Sequence, residues 1–249
     1  MLSSDTGHTR NNTVDTTFWS STDTLTGTGV REARHLAARI APMDVRAYYV
    51  SPLGRARQTA AATLEAAGRE ATVLDWLREF DIPVERPDVE GLSPIAWDWL
   101  PQDWLRDERF LQPEAWRENE IFRRAHVGEA YDAVTGAFDA LLARYGYERE
   151  GRYYRVREPN TDTLVFFCHL GVSCVLMSHL FNCSPMQLWQ NIAMAPSSVT
   201  TLVTEERRAG IAVFRASAIG DVSHLYAAGQ EPSFAARFCE VHGDGMRED

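Results

Sequence analysis

Apolar residues recur at Val30, Ala33, Ala37 and Ile40, a spacing that predicts a helix opened by Thr26 and Gly29 and stopped by Pro42. The run Ala47-Tyr48-Tyr49-Val50 predicts a short strand closed by Ser51-Pro52. A second helix is expected from Gly54 through Ala60, Leu64 and Ala67, with Gly68 as its C-terminal cap. Ala71-Thr72-Val73-Leu74 reads as another strand. Strand, helix and strand in this order imply a parallel sheet joined by crossover helices.

Residues 83–124 interrupt the pattern with Trp97, Trp99, Trp104, Trp116 and with Pro87, Pro94, Pro101 and Pro113, and are expected to form a cap insertion packed over the sheet. A long helix resumes over 129–144, followed by an antiparallel ribbon that turns at Gly151. Thr163-Leu164-Val165-Phe166-Phe167-Cys168 is apolar almost throughout, as suits a strand covered on both faces. It runs into His169-Leu170-Gly171 and then a helix containing Val175, Leu176 and Leu180. Further strands fit 198–203 and 211–216. The expected fold is a three-layer α/β sandwich of one domain, residues 1–249. Its sheet is mostly parallel, with helices on both faces and a Trp-rich insertion.

Composition narrows the partners more than the fold. With 45% hydrophobic and 24% charged residues, the chain can build a core and is not broadly disordered. A net charge of −10 disfavours nucleic acid and anionic membranes as partners, and any phosphate site needs local positive charge. No apolar run approaches a membrane span and residues 1–10 lack a secretion-signal core, so the expected compartment is the cytoplasm. Cys168, Cys174, Cys183 and Cys239 match no zinc spacing. The first three sit in apolar surroundings and read as buried, reduced thiols; no metal and no cofactor are expected.

Three residues are candidates for chemistry. His169 follows a buried strand and precedes a helix, where α/β sheets collect ligands; a core histidine bonded to backbone is an equal reading. Arg55, in the first helical turn after a strand, can hold a phosphate bidentately, whereas Arg57 reads as a solvated side chain. Glu79, beside Trp76, Leu77 and Phe80, could keep a proton for a leaving group, though a surface glutamate is the commoner case.

Together these stretches resemble the histidine phosphatase (phosphoglycerate mutase-like) superfamily. The run from Ser51 through Arg55 to Ala60 is similar to the family's segment carrying its second phosphate-binding arginine. Leu77-Arg78-Glu79 resembles the proton-donor segment, and Phe167-Cys168-His169-Leu170-Gly171-Val172 the second histidine turn, usually written with two glycines. Asp23 with Leu25-Thr26-Gly27-Thr28-Gly29 resembles the opening of the first helix. Ala195-Pro196-Ser197-Ser198-Val199-Thr200 and Gly220-Asp221-Val222-Ser223-His224-Leu225 resemble the closing strands. The resemblance covers most of residues 7–226 in order. It implies phosphoryl transfer through a phosphohistidine, governed by positioning and electrostatics and needing no metal. It implies Arg55, His169, Asn12 and Thr9 around the phosphate, Glu79 as acid, and a small phosphorylated metabolite as substrate.

The first motif departs from the family. The family's arginine and histidine become Asp5 and Thr6, while Gly7, Thr9 and Asn12 fit. Thr6 at the nucleophile position cannot form a phosphohistidine and lacks an adjacent base. Asp5 opposes a phosphate dianion by about 4 kcal/mol per pair of like charges at ~4 Å and an effective dielectric of ~20. His8, at a variable position, is a substitute nucleophile only if the local backbone directs it inward; otherwise it is a loop residue. Met1-Leu2-Ser3-Ser4 is too short and polar to supply the buried strand expected before the motif. Loss of strand, arginine and histidine together points to a misplaced start, a frameshift or an altered terminus rather than to independent changes. The expected function is therefore a phosphatase of small organic phosphates, inactive as written if no other group replaces Thr6. The alternatives are a pseudophosphatase that binds without turnover and a phosphoglycerate mutase-type phosphotransferase.

Overall fold

A computed structural model of the chain describes residues 2–3, 24–86 and 94–233, the first pair as backbone only. One eight-stranded sheet organises the molecule, in the order β3-β2-β6-β1-β7-β8-β5-β4. The strands are β1 (Leu2–Ser3), β2 (Ala47–Val50), β3 (Ala71–Val73), β4 (Tyr147–Glu150), β5 (Tyr153–Val156), β6 (Leu164–Cys168), β7 (Val199–Arg208) and β8 (Ile211–Asp221). β3, β2, β6 and β1 pair in parallel, whereas β7, β8, β5 and β4 add on in antiparallel fashion. The molecule thus has a crossover-connected half and a hairpin-connected half.

Helices α1 (Gly27–Ile40) and α2 (Gly54–Ala67) follow from their sequence signals. Thr26 caps α1, its hydroxyl accepting from Gly29 N at 3.2 Å. Gly68 ends α2 in the left-handed conformation (φ 62°) that costs glycine least. The other helices are α3 (Pro101–Trp104), α4 (Glu120–Arg124), α5 (Val127–Ala143), α6 (Leu170–Phe181), α7 (Pro185–Asn191) and α8 (Ser223–Ala227). Alternation along the strands builds two cores. Tyr48, Val50, Val165 and Phe167 pack against Leu36 and Ile40 of α1 and Ala56 and Ala60 of α2. Tyr49, Phe166 and Cys168 face the opposite core, made with α5, α6 and the tryptophan-rich residues. That arrangement is the three-layer α/β fold, and β6 is buried on both faces because both layers meet there.

Two expectations need correction. The strand slot before the first motif is filled: Leu2 pairs with Phe167 in parallel and with Val199 in antiparallel register. Strand pairing uses backbone groups, so a polar two-residue segment can occupy the slot. Cys183 is only half-buried, unlike the fully buried Cys168 and Cys174; all three are free thiols, and burial pushes the Cys168 thiol up to about 11. Among the described residues, no helix is long and apolar enough to cross a membrane.

Candidate functional site

The parallel half directs two helix N-termini to one edge. β2 and β6 are in register from Ala47↔Leu164 to Val50↔Phe167, so the chain leaves both strands at the same level. After β2 come Ser51 and α2; after β6 come His169 and α6. The leading ends of two helices therefore converge, each presenting backbone N–H groups and positive potential suited to an anion. β1 ends at this edge as well, with Ser3 opposite Cys168.

His169 is the extended N-cap residue of α6 and is fully buried. Its Nε2 lies 2.7 Å from Ser51 Oγ, a hydrogen bond that ties the two strand ends together. Ser51 is buried too, and its N–H donates to Phe167 O at 2.9 Å. Four residues on, Arg55 lies in the first turn of α2 with only 2% of its surface exposed. A guanidinium placed so deep in an acidic protein concentrates positive charge where the helix ends already favour anions. Arg57 is exposed, as a solvated side chain should be.

Glu79 reaches the same turn from the segment after β3. Its Oε1 accepts from Phe80 N at 2.7 Å and from Val172 N, in the first turn of α6, at 3.0 Å. With Oε1 occupied by two donors, any proton on this carboxyl belongs on Oε2. Gly171 makes the approach possible: a Cβ there would lie 2.6 Å from Glu79 Oε1 and 2.5 Å from Trp97 Nε1. Trp97 is held in turn, its Nε1 donating to Phe80 O at 2.8 Å and its carbonyl accepting from Gln190 Nε2 at 2.6 Å. Trp189, the neighbouring residue of α7, donates to Gly171 O at 3.0 Å.

The structure thus brings His169, Arg55 and Glu79 to one edge. Asp5, Thr6, Gly7, His8, Thr9 and Asn12 lie outside the described residues. Sequence reasoning missed the Ser51–His169 bond, because Ser51-Pro52 carried only a strand-end signal. It also missed a polar cluster beside the start of β7, where Val199 pairs with Asp221. Buried His224, which falls in α8 rather than in a closing strand, lies 3.5 Å from Ser197 Oγ and 3.4 Å from Arg39 Nη1. Burial and then Arg39 depress its pKa to about 4, so it is neutral at pH 7. Among the described residues, no group of three or more histidine, cysteine or carboxylate side chains could hold a metal.

Comparison with known proteins places these features in a lineage. The profile described as histidine phosphatase superfamily (branch 1) matches residues 7–216. A probable phosphoglycerate mutase, GpmB, of Yersinia pestis is 31% identical over 104 residues, 41% of this chain. The match spans about half (48%) of that relative's length. Among solved structures, "Mycobacterial hydrolase 1" superposes with a TM-score of 0.56 at 18% identity, covering 89% of this chain and 97% of that one. A phosphoserine phosphatase from Entamoeba histolytica, in complex with phosphoserine, gives 0.56 at 17%, covering 88% and 95%. A mycobacterial glucosyl-3-phosphoglycerate phosphatase in complex with VO3 gives 0.53 at 19%, covering 88% and 96%. At such identities the structural likeness speaks for the fold.

Proposed function

Because this chain belongs to the histidine phosphatase superfamily, we propose that its sheet edge is a binding site for small organic phosphate monoesters. The carrying observation is the convergence of Arg55, His169 and Glu79 on two helix N-termini. In this reading the Arg55 guanidinium and His169 contact the non-bridging oxygens, and the helix ends add fixed partial charge. Ser51 orients the His169 ring through Nε2, and Glu79 Oε2 carries the proton for the departing oxygen. Thr9 and Asn12 are assigned to the phosphate as well, on the resemblance of their motif. Residues 83–124 act as the cap over the site, which Trp97 supports by packing on Gly171. The acidic composition fits a cytoplasmic setting without nucleic-acid partners.

In the lineage, turnover passes through a phosphohistidine: a nitrogen–phosphorus bond forms as the ester oxygen leaves with a proton, and water then cleaves it. Here Thr6 stands at the nucleophile position and Asp5 at the neighbouring arginine, so the chain as written is expected to bind phosphate and turn over little. Titration with inorganic phosphate should show binding that Arg55→Met weakens at least tenfold, the scale of one lost charge-assisted pair. Aryl phosphate hydrolysis should be low in the parent chain and higher in Asp5→Arg with Thr6→His, with an acid-labile phosphoenzyme. Strong parent activity that disappears in His8→Ala would make His8 the nucleophile. Binding without hydrolysis in the folded double variant would favour a pseudophosphatase. The mutase alternative rests on the partial likeness to GpmB and calls for 3-phosphoglycerate as a parallel substrate.

A further inference from the structure

Away from the sheet edge, the far end of α6 opens onto a cavity of about 260 Å³ that no part of the phosphate site uses. Four segments wall it: residues 113–117 of the insertion, α5, the turn between β4 and β5, and the C-terminal end of α6. Side chains tie these segments together, so the cavity is preformed. Arg117 of the insertion donates to both oxygens of Asp132 on α5, at 3.1 and 2.9 Å. Arg149 of β4 donates to Asn182 Oδ1 at the end of α6 at 2.7 Å, and Asn182 Nδ2 donates back to Arg152 O at 3.0 Å. Tyr131 of α5 and Ser178 of α6 share a 3.1 Å hydrogen bond in the wall.

The charges around the cavity are sorted by sign. On the hairpin side, Arg149 donates to neutral acceptors, Gly151 O and Asn182 Oδ1, and no carboxylate among the described residues pairs with it. Exposed Arg152 makes no side-chain hydrogen bond or ion pair with the described residues. On the insertion side, Arg117 neutralises Asp132, and exposed Glu114 likewise has no side-chain partner among the described residues. The C-terminus of α6 adds carbonyl groups and negative potential. A simple anion would meet that potential and Glu114, and a simple cation would meet two arginines. A ligand carrying both charges on one small skeleton satisfies both sides. The volume of about 260 Å³ lies just under the ~300–1,000 Å³ of pockets for drug-sized ligands, the scale of an amino acid rather than of a nucleotide.

We propose that this cavity binds a free α-amino acid as its zwitterion, the ammonium toward Glu114 and the end of α6 and the carboxylate toward Arg149 and Arg152. Opposite charges placed on opposite walls fix the direction in which such a ligand lies, and its zero net charge spares it the repulsion that either end alone would meet. The site is independent of the phosphate-monoester reading, since no residue of the sheet edge takes part.

The test is thermal-shift screening of the full chain against the common proteinogenic amino acids, one at a time, followed by calorimetric titration of those that stabilise it. At least one should bind. Its N-acetyl derivative, which lacks the ammonium, and its primary amide, which lacks the carboxylate, should each bind about fivefold or more weakly, the lower end for a charge-assisted hydrogen bond because both side chains are exposed. Glu114→Gln should weaken the amino acid by about the same factor and leave the N-acetyl derivative within about twofold. Arg152→Gln should weaken the amino acid likewise and leave the amide within about twofold. Neither substitution removes a side-chain contact within the described protein, so both variants should fold as the parent does. No binding by any amino acid would overturn the proposal. So would binding that ignores both variants, which places the ligand elsewhere, or an N-acetyl derivative or amide that binds as tightly as the amino acid, which removes the need for both charges.

Discussion

Helix α6 has two polar ends about 18 Å apart at the usual helical rise, and they differ in kind. At its N-terminus stand His169, Gly171 and Glu79, in a tight buried turn. At its C-terminus a cavity of about 260 Å³ opens among Ser178, His179, Asn182, Arg117, Arg149 and Arg152. The second end looks richer in cations, yet much of its charge is engaged within the protein. Arg117 grips both oxygens of Asp132 at 3.1 and 2.9 Å, and Arg149 donates to Gly151 O and Asn182 Oδ1, each at 2.7 Å. His179 lies 2.8 Å from Asp139, which also accepts from Tyr154 at 2.6 Å. The helix dipole adds the same bias, since carbonyl groups at a C-terminus repel the anions that N–H groups attract. Arginine count alone is therefore a poor guide; what decides is whether helix ends and side chains favour the same charge.

The contrast should be largest for backbone space. Gly171→Ala is expected to cost roughly 2–3 kcal/mol, because its methyl would overlap two held side chains, and to weaken phosphate binding more than tenfold. At the other end, Asn182 caps α6 at φ 57°, so Asn182→Gly relieves backbone strain and loses two side-chain bonds. Its effect on phosphate affinity should stay within about twofold, because it is a turn-end change far from the anion. Denaturant titration and calorimetry on the pair give both readouts. A phosphate affinity more sensitive to Asn182 than to Gly171 would reverse the assignment of the two ends.

Charge removal comes next. Arg55→Met should abolish most phosphate binding, whereas Arg149→Met should leave it nearly unchanged and lower stability by about 1–2 kcal/mol through lost hydrogen bonds and the Tyr154 stack. Equal losses of phosphate affinity in both variants would show that the C-terminal cavity binds the anion as well.

The smallest effects concern pH, and both groups belong to elements other than α6. Burial raises Glu32 on α1 from 4.5 to about 7, and burial lowers His224 from 6.5 to about 4. A carboxyl raised by folding stabilises fully below pH 4.5, and this stability is lost as pH rises toward 7. An imidazole lowered by folding stabilises fully above pH 6.5, and this stability is lost as pH falls toward 4. Their slopes oppose each other between pH 4.5 and 6.5. Glu32→Gln should therefore gain roughly 1–2 kcal/mol at pH 8 relative to pH 4.5 and unmask the acid sensitivity of His224, while His224→Gln should unmask the opposite slope. Thermal denaturation across that range checks both, and a parent profile steep in either direction with flat variants would count against the pair.

Much of this architecture was readable beforehand because its signals are local. Thr26, Gly54, Gly68, Gly151 and the apolar run ending at Cys168 each mark a turn, cap or buried strand by their own chemistry. β7 extends beyond the expected 198–203 because its outer half, with Glu206, Arg207 and Arg208, is exposed and lacks apolar alternation, and β8 runs past the expected 211–216 through Ser217 and Gly220 to Asp221, which pairs with Val199. Arg55 and His169 could be nominated because each follows a strand. That Ser51 would bond His169, or that Gly171 would admit both Glu79 and Trp97, depends on contacts between distant segments that no spacing rule encodes. α7, with Trp189 and Gln190, carried no recognised motif, although its side chains bond Gly171 O in the turn after His169 and Trp97 O in the insertion.

The two-residue strand β1 also bears on how the chain reaches this state. Leu2 finds its partners at Phe167 and Val199, so the middle of the sheet closes only when segments from opposite ends of the sequence meet. Such long-range closure is slow relative to the local assembly of α1, β2 and α2. Until it occurs, the facing edges of β6 and β7 present unpaired backbone to any passing strand. A newly made chain is thus most vulnerable to intermolecular pairing at its centre rather than at its periphery, and refolding yield should fall with protein concentration for that reason.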